Sequence, residues 1–152
     1  MVRRALSAMV CITTLVGCAP GLPKGVSSER LEAALDDRVA DLNTCVLIGQ
    51  AGTGRVVFRY GTHVVCGQAW PTCQGTDLTS AVAQLPLVAK SRSPSNRSCP
   101  TKGDHSRSVG WASGPVEGHA DLVYVTIMEG TTAPPGMIVA EHTARALRDA
   151  GF

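Results

Sequence analysis

The chain has 152 residues, with 14 Lys+Arg against 12 Asp+Glu and a formal charge of +2, a length that suits one domain. Arg3 and Arg4 stand in an N-terminal leader that holds no acid, so the remainder balances at 12 and 12. A neutral chain with two Trp, two Tyr and two Phe, and with no Lys/Arg run, lacks the electrostatic footprint of nucleic-acid binding, and that class is excluded.

The leader reads as an export signal. Arg3 and Arg4 form a basic start, residues 5–16 are almost wholly apolar, and Leu15-Val16-Gly17-Cys18 ends the run. The stretch is too short for a stable membrane span. It resembles the bacterial lipobox, Leu-x-Gly-Cys, and the resemblance implies cleavage after residue 17, acylation of Cys18 and attachment of the mature chain to a membrane through lipid. Ala19 rather than Asp follows that cysteine, which by the same resemblance implies the outer membrane, facing the periplasm, of a bacterial cell envelope. Residues 18–26, with Gly21, Pro23 and Gly25, read as a linker from lipid to domain.

The single domain is expected over residues 27–152. Between 27 and 43, Leu31, Leu35, Val39 and Leu42 recur at helical spacing, with Ser28 as N-cap, Glu29 in the first turn and Asn43 suited to the end. Its polar face carries Glu32, Asp36, Asp37 and Asp41, the wrong sign for a membrane-surface helix, so it should pack on its own sheet. Residues 45–50 and 55–60 are β-rich runs joined by Ala51-Gly52-Thr53-Gly54, a hairpin loop. A phosphate cradle is excluded there because no Gly-Lys-Ser/Thr opens a helix.

Residues 62–75 are expected to form a loop holding Cys66, Trp70, Pro71 and Cys73. From Asp77 as N-cap, Leu78, Val82 and Leu85 mark a short helix that Pro86 should end. Residues 90–107 carry no periodicity and five of the twelve mature Lys/Arg, and read as a mobile or disulfide-pinned, solvated loop. Residues 108–113 and 121–128 read as two strands around a Gly/Pro turn. In the second, Leu122, Tyr124 and Met128 face one way and Val123, Val125 and Ile127 the other, as in a central strand. A Pro-led helix over 137–150, with Met137, Ala140, Ala144 and Leu147 inward and Gly151 at its end, closes the chain. The fold class is therefore α+β: an antiparallel sheet of about four to five strands with the N- and C-terminal helices on one face.

Cys45, Cys66, Cys73 and Cys99 are an even set in an exported chain and read as two disulfides. Four cysteines allow three pairings, which the sequence leaves open; the short loop favours Cys66 with Cys73, leaving Cys45 with Cys99. A metal set of His63, Cys66 and Cys73 lacks a second Cys-x-x-Cys or a His-x-x-x-His, so no metal and no cofactor are expected. His63, His105, His119 and His142 are scattered, and Asp104, His105 and Ser108 lie too close along one loop to converge as a triad.

The order of elements resembles the α/β half of the serine β-lactamases and penicillin-binding proteins, and within them the class D β-lactamases. Residues 44–48 and 54–61 are similar to their opening hairpin, and Val109-Gly110-Trp111-Ala112-Ser113-Gly114 to their Val-Gly-Trp-x-x-Gly strand. The resemblance implies a sheet in which the C-terminal strand lies beside the N-terminal one. The family's helical domain has no room in this chain.

The chemistry of the family does not carry over. At the place of its Ser-x-x-Lys this chain reads Gln74-Gly75-Thr76-Asp77, so Gln74 replaces the nucleophile and Asp77 the lysine. An amide beside a carboxylate cannot perform acyl transfer. Lys24, Lys90 and Lys102 have Gly21, Leu87 and Cys99 three residues upstream, and the family's Lys-Thr-Gly is scrambled to Thr101-Lys102-Gly103. Ser80-Ala81-Val82 reads as helix filler. The resemblance thus implies a degenerate, non-catalytic binding or structural component of the envelope, with peptidoglycan or an envelope protein as partner. The alternative is an active serine hydrolase or transferase acting on β-lactams or peptidoglycan.

Overall fold

A computed structural model describes residues 21–41 and 43–152. The leader with Cys18, and Leu42 of the first helical pattern, lie outside the described residues. In chain order the elements are α1 (Ser28–Val39), β1 (Asn43–Gln50), β2 (Val56–Tyr60), α2 (His63–Gly67), β3 (Trp70–Pro71), β4 (Leu78–Thr79), α3 (Ala81–Ser91), β5 (Ser95–Pro100), β6 (Ser108–Val116), β7 (His119–Gly130) and α4 (Gly136–Ala150). The protein is α+β, with a five-stranded antiparallel sheet in the order β2-β1-β7-β6-β5 and a two-stranded β3-β4 sheet. Among the described residues no helix is long and apolar enough to cross a membrane.

The apolar alternation of β7 explains its place in the middle. Leu122, Tyr124 and Met128 join Leu31, Leu35 and Val39 of α1 and Val139, Ala146 and Leu147 of α4 in one buried cluster. Val123, Val125 and Ile127 join Leu85, Val88 and Ala89 of α3 in the other. Each buried Leu, Val or Ile contributes about 1.5–3 kcal/mol, so a strand apolar on both faces is stable only with both faces covered. The two terminal helices accordingly share one face, and α3 takes the other.

Several boundaries differ from the sequence expectation. The cap of α1 is Ser27, whose Oγ accepts from Arg30 N at 3.2 Å, and the helix stops at Val39 because Asn43 already pairs with Glu129 in the sheet. The cap of α3 is Ser80 rather than Asp77: Ser80 Oγ accepts from Ala83 N at 3.2 Å, so this serine is a cap and not filler. Asp77 instead closes the β3-β4 hairpin, its carbonyl accepting from Thr72 N at 2.9 Å.

Pro86 lies inside α3 and does not end it. An interior proline costs about 3 kcal/mol, which burial of Leu85 and Val88 at 1% and 6% exposure offsets at roughly 1.5–3 kcal/mol each. On α4 the inward set is Gly136, Val139, Thr143, Ala146, Leu147 and Ala150, while Met137 is 66% exposed, which corrects the expected face. The reason is a close approach at the start of the helix. A Cβ on Gly136 would collide with backbone atoms of Arg97 and Trp111, so it is Gly136 that meets the sheet and Met137 turns to solvent.

Residues 62–75 contain α2, capped by Thr62 Oγ1, which accepts from Val65 N at 3.1 Å. Within 90–107 the expected loop is in part the edge strand β5, paired with β6 from Ser95↔Ser113 to Pro100↔Ser108. The disulfides join Cys45 to Cys66, with Cα atoms 5.1 Å apart, and Cys73 to Cys99, with Cα atoms 5.4 Å apart. This corrects the expected Cys66–Cys73 and Cys45–Cys99 pairing. The first bridge is fully buried and ties α2 to β1; the second ties the β3-β4 turn to β5.

Candidate functional site

The turn between β3 and β4 carries Gln74 and Asp77, and the sheet edge it meets is β5. Its shape is set by local bonds: Thr72 Oγ1 donates to the Gln74 carbonyl at 2.8 Å and accepts from Gln74 N at 3.2 Å. Cys73 and Gly75 both take positive φ, 59° and 68°. Glycine adopts that region freely, whereas Cys73 is held there at a cost by its bridge to Cys99. Arg97 of β5 completes the junction, Nη1 donating to the Thr72 carbonyl at 3.2 Å and to Gln74 Oε1 at 3.0 Å. From β6, Trp111 Nε1 donates to the Pro71 carbonyl at 2.9 Å.

The turn is thus locked against β5 and β6 by a disulfide and three side-chain hydrogen bonds. Gln74 accepts from a guanidinium, and its amide nitrogen, with its lone pair delocalised into the carbonyl, is not a nucleophile for acyl transfer. Asp77 is exposed at the far side of the turn. Arg97 Nε and Trp70 Nε1 are buried N–H groups with no acceptor among the described residues. Each such group costs about 1–3 kcal/mol, so the junction is rich in donors and poor in acceptors.

Beyond β5, residues 101–107 form a small hairpin, Thr101 N donating to the Arg107 carbonyl at 2.9 Å and His105 N to the Lys102 carbonyl at 3.1 Å. It is anchored on Glu129, which is 1% exposed. Glu129 Oε1 accepts from Thr101 Oγ1 and Arg107 Nε, both at 2.9 Å, and Oε2 from Arg107 Nη2 at 2.7 Å and Asn43 Nδ2 at 2.8 Å. These bonds, the one from Arg107 first, hold the carboxyl below its ordinary value of 4.5 despite burial. The Thr101 hydroxyl is therefore committed to a structural carboxylate.

The basic residues of 90–107 do not form one patch. Arg97 serves Gln74, Arg107 serves Glu129, and Arg92 reaches the Ala120 carbonyl. The histidines stay apart as well. His63 contacts Arg59, His119 meets the Phe152 ring edge-on at 5.4 Å, and His142 Nδ1 donates to the Arg38 carbonyl at 3.1 Å. Among the described residues no group of three His, Cys, Asp or Glu could hold a metal ion. Asp104 turns to Ser106, accepting from its N and Oγ at 3.0 and 2.7 Å, which lowers its carboxyl pKa, and Ser108 Oγ donates to the Ala133 carbonyl at 3.4 Å. The Asp104 carboxylate is thus taken by Ser106 and the Ser108 hydroxyl by the Ala133 carbonyl.

Sequence reasoning brought Gln74, Cys73 and Cys99 into view but missed Arg97 and Glu129. The only signal for Glu129 was an acidic residue ending an apolar strand, which demands a buried cation. No protein-family model, curated protein or solved structure matches this chain.

Proposed function

We propose that the protein is a lipid-anchored component of a bacterial cell envelope, built on a cut-down β-lactamase-like sheet, that binds or holds an envelope partner and does not catalyse acyl transfer. What supports this reading is the turn that the sequence resemblance matches to that family's nucleophile position. Gln74 stands there, its side-chain oxygen taken by Arg97 at 3.0 Å, on a loop strapped to β5 through Cys73 and Cys99. The sheet order supports the same reading, because β7 lies beside β1 and both terminal helices cover one face. Peptidoglycan or an envelope protein is the partner class.

Attachment in this reading rests on acyl chains at Cys18, facing the periplasm from the outer membrane. One chain binds a membrane only marginally, so the multiple chains of a lipoprotein are needed. Two disulfides suit the oxidising side of the membrane.

A fluorescent penicillin added to the purified protein tests the absence of acyl transfer. No band surviving denaturing electrophoresis is expected; a covalent band would establish the serine hydrolase instead. Cys18→Ala should move the protein from the membrane to the soluble fraction, and unchanged retention would count against the lipobox.

A further inference from the structure

At the end of α4 away from the Gln74 turn lies a groove of about 460 Å³. Its walls are Pro115 and Val116 of β6, Tyr124 of β7, Ala144 and Leu147 of α4, and Phe152. Small-ligand sites typically enclose about 300–1,000 Å³ and are lined mainly by apolar groups with a few polar ones. Val116, Tyr124 and Leu147 belong to the cluster under α1 and α4, whereas Cys73 and Cys99 pack on the opposite cluster, so this groove is separate from the locked turn.

The walls are set before any ligand arrives. Phe152 N donates to the Leu147 carbonyl at 3.1 Å, and the Phe152 ring is held edge-on by His119. Tyr124 is 9% exposed and adds its side chain to the wall. Two charged side chains flank the opening. Arg148 Nη1 and Glu117 Oε2 are 3.4 Å apart, with side chains 53% and 82% exposed. Such an exposed pair holds weakly, and either member is free to take a better partner. Arg145 and Asp149, paired with Glu141 and Arg38, lie outside the groove's lining. Arg148 is therefore the cation the groove presents.

We propose that this groove binds a small carboxylate with an aliphatic body, of about the size of octanoate. The chain lies against Val116, Ala144, Leu147 and Phe152, and the carboxylate takes the Arg148 guanidinium in place of Glu117. A guanidinium fork matches a carboxylate in two parallel bonds, which an alcohol cannot reproduce.

The test is calorimetric titration of the full chain in phosphatidylcholine nanodiscs with octanoate, blanked against empty nanodiscs. A saturable one-site isotherm is expected, with octan-1-ol binding about tenfold more weakly for want of the charged bonds. Arg148→Gln should weaken octanoate about tenfold and leave octan-1-ol unchanged. Glu117→Gln should tighten octanoate, because a competing carboxylate is gone. Ala144→Phe should fill the groove and abolish both. Absence of saturable heat in the parent chain, equal affinity for octanoate and octan-1-ol, or an unaltered octanoate isotherm in Arg148→Gln would each overturn the proposal. If Ala144→Phe loses its circular dichroism signal, the two exposed variants carry the test.

Discussion

Replacing Glu129 by Gln should destabilise the fold by about 2–3 kcal/mol, and the structure says why. The carboxylate is 1% exposed and accepts four hydrogen bonds, two of them from Arg107. A Gln of the same shape has one oxygen. Thr101 can rotate its hydroxyl and Asn43 can flip its amide, but a guanidinium has no acceptor, so one Arg107 N–H must face the new NH2. Losing a charge-assisted bond costs about 1.5–3 kcal/mol, and truncating one partner of a buried ion pair about 3–5. The Arg107 side chain is 30% exposed and can turn to water, so the lower part of that range applies.

Arg107→Ala should cost more than Glu129→Gln, because it strands a carboxylate that has no route to solvent. Urea unfolding followed by the fluorescence of buried Trp111 measures both. The sign with pH follows from the lowered carboxyl pKa. The folded value lies below the unfolded one, so the stabilisation is complete above about pH 4.5 and is lost as pH falls through the folded value. Glu129→Gln should remove that part of the acid slope. A change below about 0.5 kcal/mol, or an acid slope identical to that of the parent chain, would refute the account, since ordinary surface substitutions fall in that range.

Non-reducing peptide mapping should recover Cys45 linked to Cys66 and Cys73 linked to Cys99; any other pairing contradicts the fold. Opening either bridge by a double Cys→Ser change should cost about 3 kcal/mol, given loops spanning 21 and 26 residues. The Cys45–Cys66 change should be the more damaging, because both residues are fully buried and their hydroxyls would lie in an apolar cluster. Pro86→Ala should stabilise the protein by about 1–3 kcal/mol by restoring a helical N–H in α3. A lower unfolding midpoint would show that the ring itself packs against the β1-β2 turn.

The sequence alone determined the elements whose side chains repeat with a clear period. β7 is written in apolar residues on both faces, so its central place was legible, and the spacing of Leu31, Leu35 and Val39 identified α1. β5 was not legible. Its inward residues are Arg97 and Cys99, with exposed Asn96, Ser98 and Pro100 between them, a period of two written without aliphatic residues. The strand is held by its pairing with β6 and by the bridge to Cys73, neither of which is a local signal. The inward face of α4 depended on Gly136 passing close to β5 and β6, and the cap of α3 on which of two polar residues the hairpin left free.

For the site, the resemblance directed attention to Gln74 and Asp77, whose difference from Ser and Lys is a matter of residue identity alone. Only the tertiary structure brought Arg97 to Gln74, gathered Thr101, Arg107 and Asn43 around Glu129, and chose one cysteine pairing from three. Those outcomes depend on distances between segments far apart in sequence, and the packing of α3 and α4 on opposite faces of one sheet fixes those distances.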